Sequence, residues 1–182
     1  MTPLSSAETV SASAVSVVTA GVDETRELGA ALAAAARAGD RVALIGPLGA
    51  GKTQFAKGFA HGLGIRAVVN SPSFTLMTEY SGRLQLFHQD LYRLGGAAEA
   101  IAGGLLDERQ EAGVTLTEWA DRLGSGLDPD RLEVRIVVGD GDQRRIELWS
   151  TDPTRHSAYL AAAAGWDARR RPAARGTADD GT

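Results

Sequence analysis

No cysteine occurs among the 182 residues of this chain, which excludes a disulfide framework and any thiolate metal site. No long hydrophobic run occurs either. The most extended one, the alanine-based "ALAAAA" around Leu32, is too short to span a bilayer, and the first basic residue is Arg26, too late for a charged leader. The expectation is a cytoplasmic protein with no signal peptide and no membrane partner. Positive charge is not in excess: the net charge is −4, which argues against a DNA-binding protein gripping its partner through one dominant basic face. Lysine is almost missing, with only Lys52 and Lys57 against seventeen arginines. Since arginine carries nearly all the basic work, a lysine at a motif position stands out. The length suits one well-packed core rather than two full domains.

What is present starts with glycine. The stretch "IGPLGAGKTQFAKGFAHGLG", Ile45 to Gly64, matches G-x-x-x-x-G-K-[ST] with Gly46, Gly51, Lys52 and Thr53 at the fixed positions. In such a loop consecutive backbone N–H groups point into one concavity, and the missing Cβ atoms let a phosphate approach. The expected nucleotide-binding segment runs Gly46, Pro47, Leu48, Gly49, Ala50, Gly51, Lys52, Thr53 and Gln54. Lys52 would neutralise the β- and γ-phosphates, the Thr53 hydroxyl would sit on Mg²⁺, and the following helix would aim its positive N-terminal end at the same anion. Both flanks agree: "DRVALIG" reads as a short buried strand, and Phe55, Ala56, Phe59, Ala60 and Leu63 recur on one helical face.

The rest of the chain divides by its turn residues. Residues 1 to 14 are Ser/Ala/Thr-rich without periodicity and are expected to be disordered. Residues 15 to 152 are expected to form the nucleotide-binding domain. Within it, a strand over Val15 to Gly21 precedes a helix capped by Asp23 and ending at Gly39. "RAVVN" reads as a short strand, and a second alternating strand through Phe74, Leu76 and Glu79 pairs across Gly82 with "GRLQLFHQDLY". A glycine-broken helical segment spans Ala97 to Glu111, "GVTLTEWADRL" is a strand entering a turn, and "RLEVRIVVG" with "QRRIELWS" forms a terminal hairpin. Residues 153 to 182 decay into Ala, Arg and Asp and read as a tail, mostly disordered past Gly165. The expected fold class is α/β: a P-loop NTPase-type three-layer α/β/α sandwich with a mostly parallel central sheet and added antiparallel hairpins.

Two acids complete the pattern. Asp90 falls near the end of the strand in "FHQDLYRL", and Glu118 ends "VTLTE". Metal-assisted phosphoryl transfer needs carboxylates at strand termini beside the loop, to hold Mg²⁺ and to orient an attacking water. For either acid alone, a solvated strand end explains it as well; with the loop, the pair points to a site.

The segments "GPLGAGKT", "SPSFTLMTEY", "HQDLYRL" and "TLTEWADRL" resemble, in order and spacing, the signature segments of the TsaE (YjeE) family across roughly Val15 to Ser150. The resemblance implies a small P-loop ATPase needed for N6-threonylcarbamoyladenosine in ANN-decoding tRNAs. Its cofactors would be ATP and Mg²⁺ and its partners TsaD and TsaB, with tRNA reached through that complex. It further implies Thr53 and Glu118 as magnesium ligands, Lys52, Asp90 and Glu118 as the catalytic set, and a switch-like segment at Ser71, Ser73 and Thr75 facing the γ-phosphate. The chain departs from the family where Ala120 follows Glu118-Trp119 in place of proline, and where Ser73 replaces threonine.

Other residues have plainer readings. His61 is expected to be exposed and His156 to lie in the tail, while His88, without a second imidazole, makes a poor transition-metal site. Trp119 fills a pocket or anchors a partner. The arginine run Arg169 to Arg171 reads as a solvated charge run. A small-molecule P-loop kinase stays open, although no arginine-rich lid is visible, as does a nucleotide-gated binding module with negligible turnover.

Overall fold

The computed structural model describes residues 13–124 and 129–170. The expectations for residues 1–12 and for the end of the tail from Arg171 fall outside the described residues. The elements are β1 (Ser13–Thr19), α1 (Val22–Ala33), β2 (Arg41–Ile45), α2 (Lys52–Gly62), β3 (Met77–Ser81), β4 (Gln85–Asp90), α3 (Ala97–Ala102), β5 (Gly113–Glu118), β6 (Leu132–Val138), β7 (Arg144–Ser150) and α4 (Ser157–Arg170), with 3-10 turns at Glu108–Ala112 and Ala120–Leu123.

One seven-stranded sheet runs β1-β7-β6-β2-β5-β4-β3. Its centre, β6-β2-β5-β4, is parallel; the β6-β7 hairpin and an antiparallel β1 extend one edge, and the β3-β4 hairpin extends the other. This is the expected α/β class, with a mixed sheet whose parallel centre is flanked by antiparallel strands. Alternation along the parallel strands sends Leu86, Val114, Leu116 and Val134 to one face, where they pack with Leu28, Leu32, Phe55, Phe59, Tyr159 and Trp166 of α1, α2 and α4. The opposite face of β4 and β5 carries a thinner layer. There Gln89 and Gln110 both donate to the Leu105 carbonyl, Thr117 donates to Gln89 and Thr115 to Gln110, so the buried polar groups are paired.

Helices α1 and α2 approach backbone to backbone because their contact is built on glycine. A Cβ on Gly58 would overlap the Arg26 carbonyl, and one on Gly29 would lie 2.5 Å from the Phe55 carbonyl oxygen. These glycines set the interaxial spacing and so the height of α2 above the sheet.

Several local expectations are corrected. Strand β1 begins at Ser13, inside the segment expected to be disordered. Helix α1 is entered from Gly21, and Asp23 lies in its first turn instead of capping it. Glu24 takes the reciprocal role, its carboxylate accepting from the Ala20 amide at 2.6 Å. The helix stops at Ala33 because the following residues tighten into turns that bring Gly39, at φ +82°, to donate to the Gly113 carbonyl. "RAVVN" joins no ladder: Val69 is buried, Val68 is exposed, and Pro72 follows. β3 begins at Met77, since Leu76 has a left-handed backbone and Phe74 is exposed.

The largest revision concerns the segment from Pro153. Ser157–Arg170 form α4, a 14-residue helix with Tyr159, Leu160, Ala163 and Trp166 buried. Its alanines contribute no bulk, so its apolar stripe is only a few large side chains wide and is hard to see as periodicity. Tyr159 Oη donates to Asp40 at 2.8 Å, and His156, fully buried instead of lying in a tail, meets Ser150 Oγ through Nδ1 at 2.8 Å.

Candidate nucleotide-binding site

The loop from Gly46 to Thr53 joins the end of β2 to the start of α2, so the central strand and the helix N-terminus meet at one concavity. Gly49 and Gly51 have φ of +76° and +109°, a region that disfavours side chains, and Gly46 packs so close to β6 that a Cβ would lie 2.5 Å from the Ile136 carbonyl oxygen. Arg144 of β7 donates to the Ala50 carbonyl at 2.9 Å and ties the loop to the antiparallel edge. Nothing in the sequence near the loop signals this tie, because the partners are far apart in the chain.

Lys52 lies across the loop, its ammonium donating to the carbonyls of Gly46 at 2.6 Å and Pro47 at 2.8 Å. It also sits 3.6 Å from the centroid of the Trp119 ring. Burial holds the Lys52 amine below its ordinary pKa, opposed by the negative charges of Glu118, Asp121 and Asp90. The ammonium is therefore partly desolvated and surrounded by acids, an environment in which an incoming phosphate competes with little water.

The acids arrive through strand pairing. Glu118 stands beside Leu44 of β2 on one side and Asp90 of β4 on the other, so three parallel strands deliver their C-terminal ends to the loop. Both carboxylates are buried. Thr53 Oγ1 donates to Glu118 Oε2 at 2.9 Å, and His88 Nε2 meets Glu118 Oε1 at 2.9 Å. Asp90 Oδ2 accepts from the hydroxyls of Ser71 and Ser73, the latter at 2.6 Å, and Oδ1 accepts from the Tyr92 amide at 2.8 Å. The Ser71–Ser73 segment is thus pinned to the strand-end acid.

A cleft of about 480 Å³ joins these groups, lined among others by Gly49, Lys52, Thr53, Ser71, Ser73, Asp90, Glu118 and Trp119. Leu48 and Phe74 stand at its rim, 76% and 82% exposed, with the Arg93 guanidinium 4.1 Å from the Phe74 ring. Gln54 lines the cleft, but its side-chain oxygen accepts both Nε and Nη2 of Arg26. Thr75 is exposed and outside the cleft. A larger hollow of about 1180 Å³ between α1, α2 and α4 gathers no strand-end carboxylates. The loop cleft carries the converging charged groups.

Among the described residues no group of three His, Cys, Asp or Glu side chains could hold a metal by itself. The donors at the loop are instead two hard oxygens, Thr53 Oγ1 and Glu118 Oε2. That is a partial set suited to Mg²⁺, which takes few protein ligands and completes its shell with water and phosphate. A nucleotide fits on the same grounds: the first amides of α2 have no intrahelical acceptor, the glycines leave the approach open, and Lys52 stands beside it.

Fold and site together define a P-loop nucleotide-binding protein of the α/β class. The model of the family described as "Threonylcarbamoyl adenosine biosynthesis protein TsaE" matches residues 19–146. A Bacillus subtilis protein named tRNA threonylcarbamoyladenosine biosynthesis protein TsaE is 43% identical over 129 residues, covering 70% of this chain and 80% of its own length. A Streptomyces coelicolor protein of the same name is 40% identical over 120 residues, covering 64% and 81%. The crystal structure of Bacillus subtilis YdiB superposes with a TM-score of 0.69 at 34% identity, covering 85% of this chain and 97% of that one. The chain belongs to the TsaE family.

Proposed function

We propose that this chain is a Mg²⁺-dependent ATPase that serves the threonylcarbamoylation of adenosine 37 in ANN-decoding tRNAs, acting as a helper of a TsaB–TsaD complex in the cytoplasm. The role in threonylcarbamoyladenosine synthesis rests on family membership. The hydrolytic reading is carried by one observation, the Thr53–Glu118 hydrogen bond beside Lys52 at the end of the glycine loop. No helix among the described residues is long and apolar enough to cross a membrane, in keeping with that location.

The chain's own groups divide the work. Loop amides and Lys52 hold the β- and γ-phosphates, and Lys52 exchanges its bonds to the Gly46 and Pro47 carbonyls for bonds to phosphate. Thr53 and Glu118 would hold Mg²⁺, which supplies charge neutralisation on the phosphate oxygens when bound. Asp90 orients the attacking water in line with the bond to the departing ADP. Ser71 and Ser73, bonded to Asp90, tie that acid to a segment able to respond to the γ-phosphate. Tyr92 and Trp119, with ring centroids 5.0 Å apart, shield this side of the cleft from water.

Phosphate release by the purified chain, alone and with TsaB and TsaD, tests this reading alongside threonylcarbamoyl incorporation into tRNA. The expected result is hydrolysis that rises with the partners, and a tRNA product whose repeated formation stops in Glu118→Ala. Transfer of phosphate to a small molecule, independent of those proteins, would overturn it.

A further inference from the structure

His88 is fully buried on β4, and its two ring nitrogens have unequal surroundings. Nε2 lies 2.9 Å from Glu118 Oε1, whereas Nδ1 is buried with no protein partner among the described residues. An ionised carboxylate only accepts, so the proton of this bond belongs to Nε2. Leu86, two residues earlier on the same strand face, shows what packing alone selects there. A histidine with one orphaned nitrogen is a costlier filler, and its bond to Glu118 accounts for the difference.

The geometry reaches the proposed metal site directly. In the β4–β5 ladder His88 stands opposite Leu116 and Asp90 opposite Glu118. His88 therefore meets Glu118 on the diagonal, two residues along the neighbouring strand, from beneath the site. The two oxygens of Glu118 are shared out, Oε1 to His88 and Oε2 to Thr53. A glutamate at a strand end has three rotatable side-chain bonds, and this bond fixes the last of them.

We propose that His88 is the positioning residue of Glu118: by donating from Nε2 to Oε1 it turns Oε2 toward Thr53, so that the pair presents a preformed half-site for Mg²⁺. The proposal deepens the ATPase reading and rests on it. His88 touches neither nucleotide nor metal. Its effect is on how well the two oxygens are aligned before the metal arrives.

The test is ADP affinity by calorimetry, with Mg²⁺ and with EDTA, for the full chain and three variants, with melting temperature measured in parallel. Glutamine carries its amide nitrogen at nearly the reach of Nε2, asparagine at that of Nδ1, and leucine carries no donor. His88→Gln is expected to keep the Mg²⁺-dependent gain in affinity. His88→Asn and His88→Leu are expected to lose at least about ten-fold of it, while affinity in EDTA stays within about two-fold for all three. If His88→Leu fails to fold, the glutamine and asparagine variants decide: equal gains in those two overturn the proposal. A gain retained in a folded His88→Leu overturns it as well and leaves the ATPase reading standing. A parent protein with no gain from Mg²⁺ overturns both the proposal and the metal reading on which it rests.

Discussion

Lys52 and Trp119 form a stacked pair, the ammonium 3.6 Å from the indole centroid, with Trp119 held in a left-handed backbone conformation at φ +59°. A bulky residue in that conformation is strained, and here it closes the strand that delivers Glu118. That conformation turns an aromatic face toward the lysine of the glycine loop.

The first prediction follows from this pair. When ATP draws the Lys52 ammonium onto phosphate, the charge over the Trp119 ring moves and its emission should change. Trp149 and Trp166 lie outside the cleft, so the nucleotide-induced change should vanish in Trp119→Phe. An undiminished signal in that variant would mean that the pair is not coupled to the nucleotide. Lys52→Ala should separately weaken ATP binding by roughly 10- to 100-fold, the worth of one or two charge-assisted hydrogen bonds.

A second prediction concerns the contact that sets α2 in place. Replacing a mid-helix glycine by alanine ordinarily stabilises a helix by about 1 kcal/mol. Gly58→Ala should do the reverse, because the added methyl meets the Arg26 backbone and not the end of a flexible side chain. The helices must then separate, which lifts the loop end of α2 as well. Calorimetry should show a melting temperature lower by several degrees together with weaker ADP binding. A more stable Gly58→Ala would show that the α1–α2 contact is softer than its geometry.

A third prediction concerns the chain past Gly165, expected from the sequence to be mostly disordered. Trp166 is 6% exposed and belongs to the main core with Tyr159 and Ala163. Trp166→Ala should cost about 3 kcal/mol, as for other large-to-small aromatic changes. Truncation before Gly165 should cost at least as much, since it also removes the Arg170 pairs to Glu24 and Glu27. Urea denaturation measures both, and an unchanged midpoint would mean that α4 does not pack on the core as its burial indicates.

What could be read from the residues, and what could not, follows from how far each signal reaches along the chain. The glycine loop is a local pattern, and Asp90 and Glu118 end strands whose alternation is visible by eye, so Lys52, Thr53, Ser71, Ser73, Asp90 and Glu118 line one cleft while Thr75 lies outside it. The parts of His88, Arg144 and Trp119 depend on strand register and on partners far away in the sequence, for which one chain offers no signal. "RAVVN" has strand-like residues but no neighbour to pair with, and α4 has a neighbour but an alanine-rich face. In both, tertiary context outweighs propensity.

That same helix supplies the last prediction, a dependence on pH. His156, just before α4, is fully buried, with Nδ1 on Ser150 and Nε2 without a protein partner among the described residues. Burial pushes its pKa below the ordinary 6.5; Asp40 pulls it back, Arg155 adds to the depression, and Asp152 and Asp130 oppose it more weakly. Well above pH 6.5 the imidazole is neutral in both folded and unfolded chains and contributes no pH dependence. As the pH falls below 6.5 the unfolded chain takes up a proton that the folded chain refuses, so stability declines until the folded pKa is passed and then levels off. The slope cannot exceed one proton's worth, about 1.4 kcal/mol per pH unit. His156→Asn, whose amide nitrogen lies near the reach of Nδ1 and can still hydrogen-bond Ser150, should show a shallower fall in melting temperature between pH 7 and pH 5 than the parent. His88 is present in both proteins, so the difference isolates His156. Parallel curves for the two would mean that His156 charges in the folded state as readily as in the unfolded one.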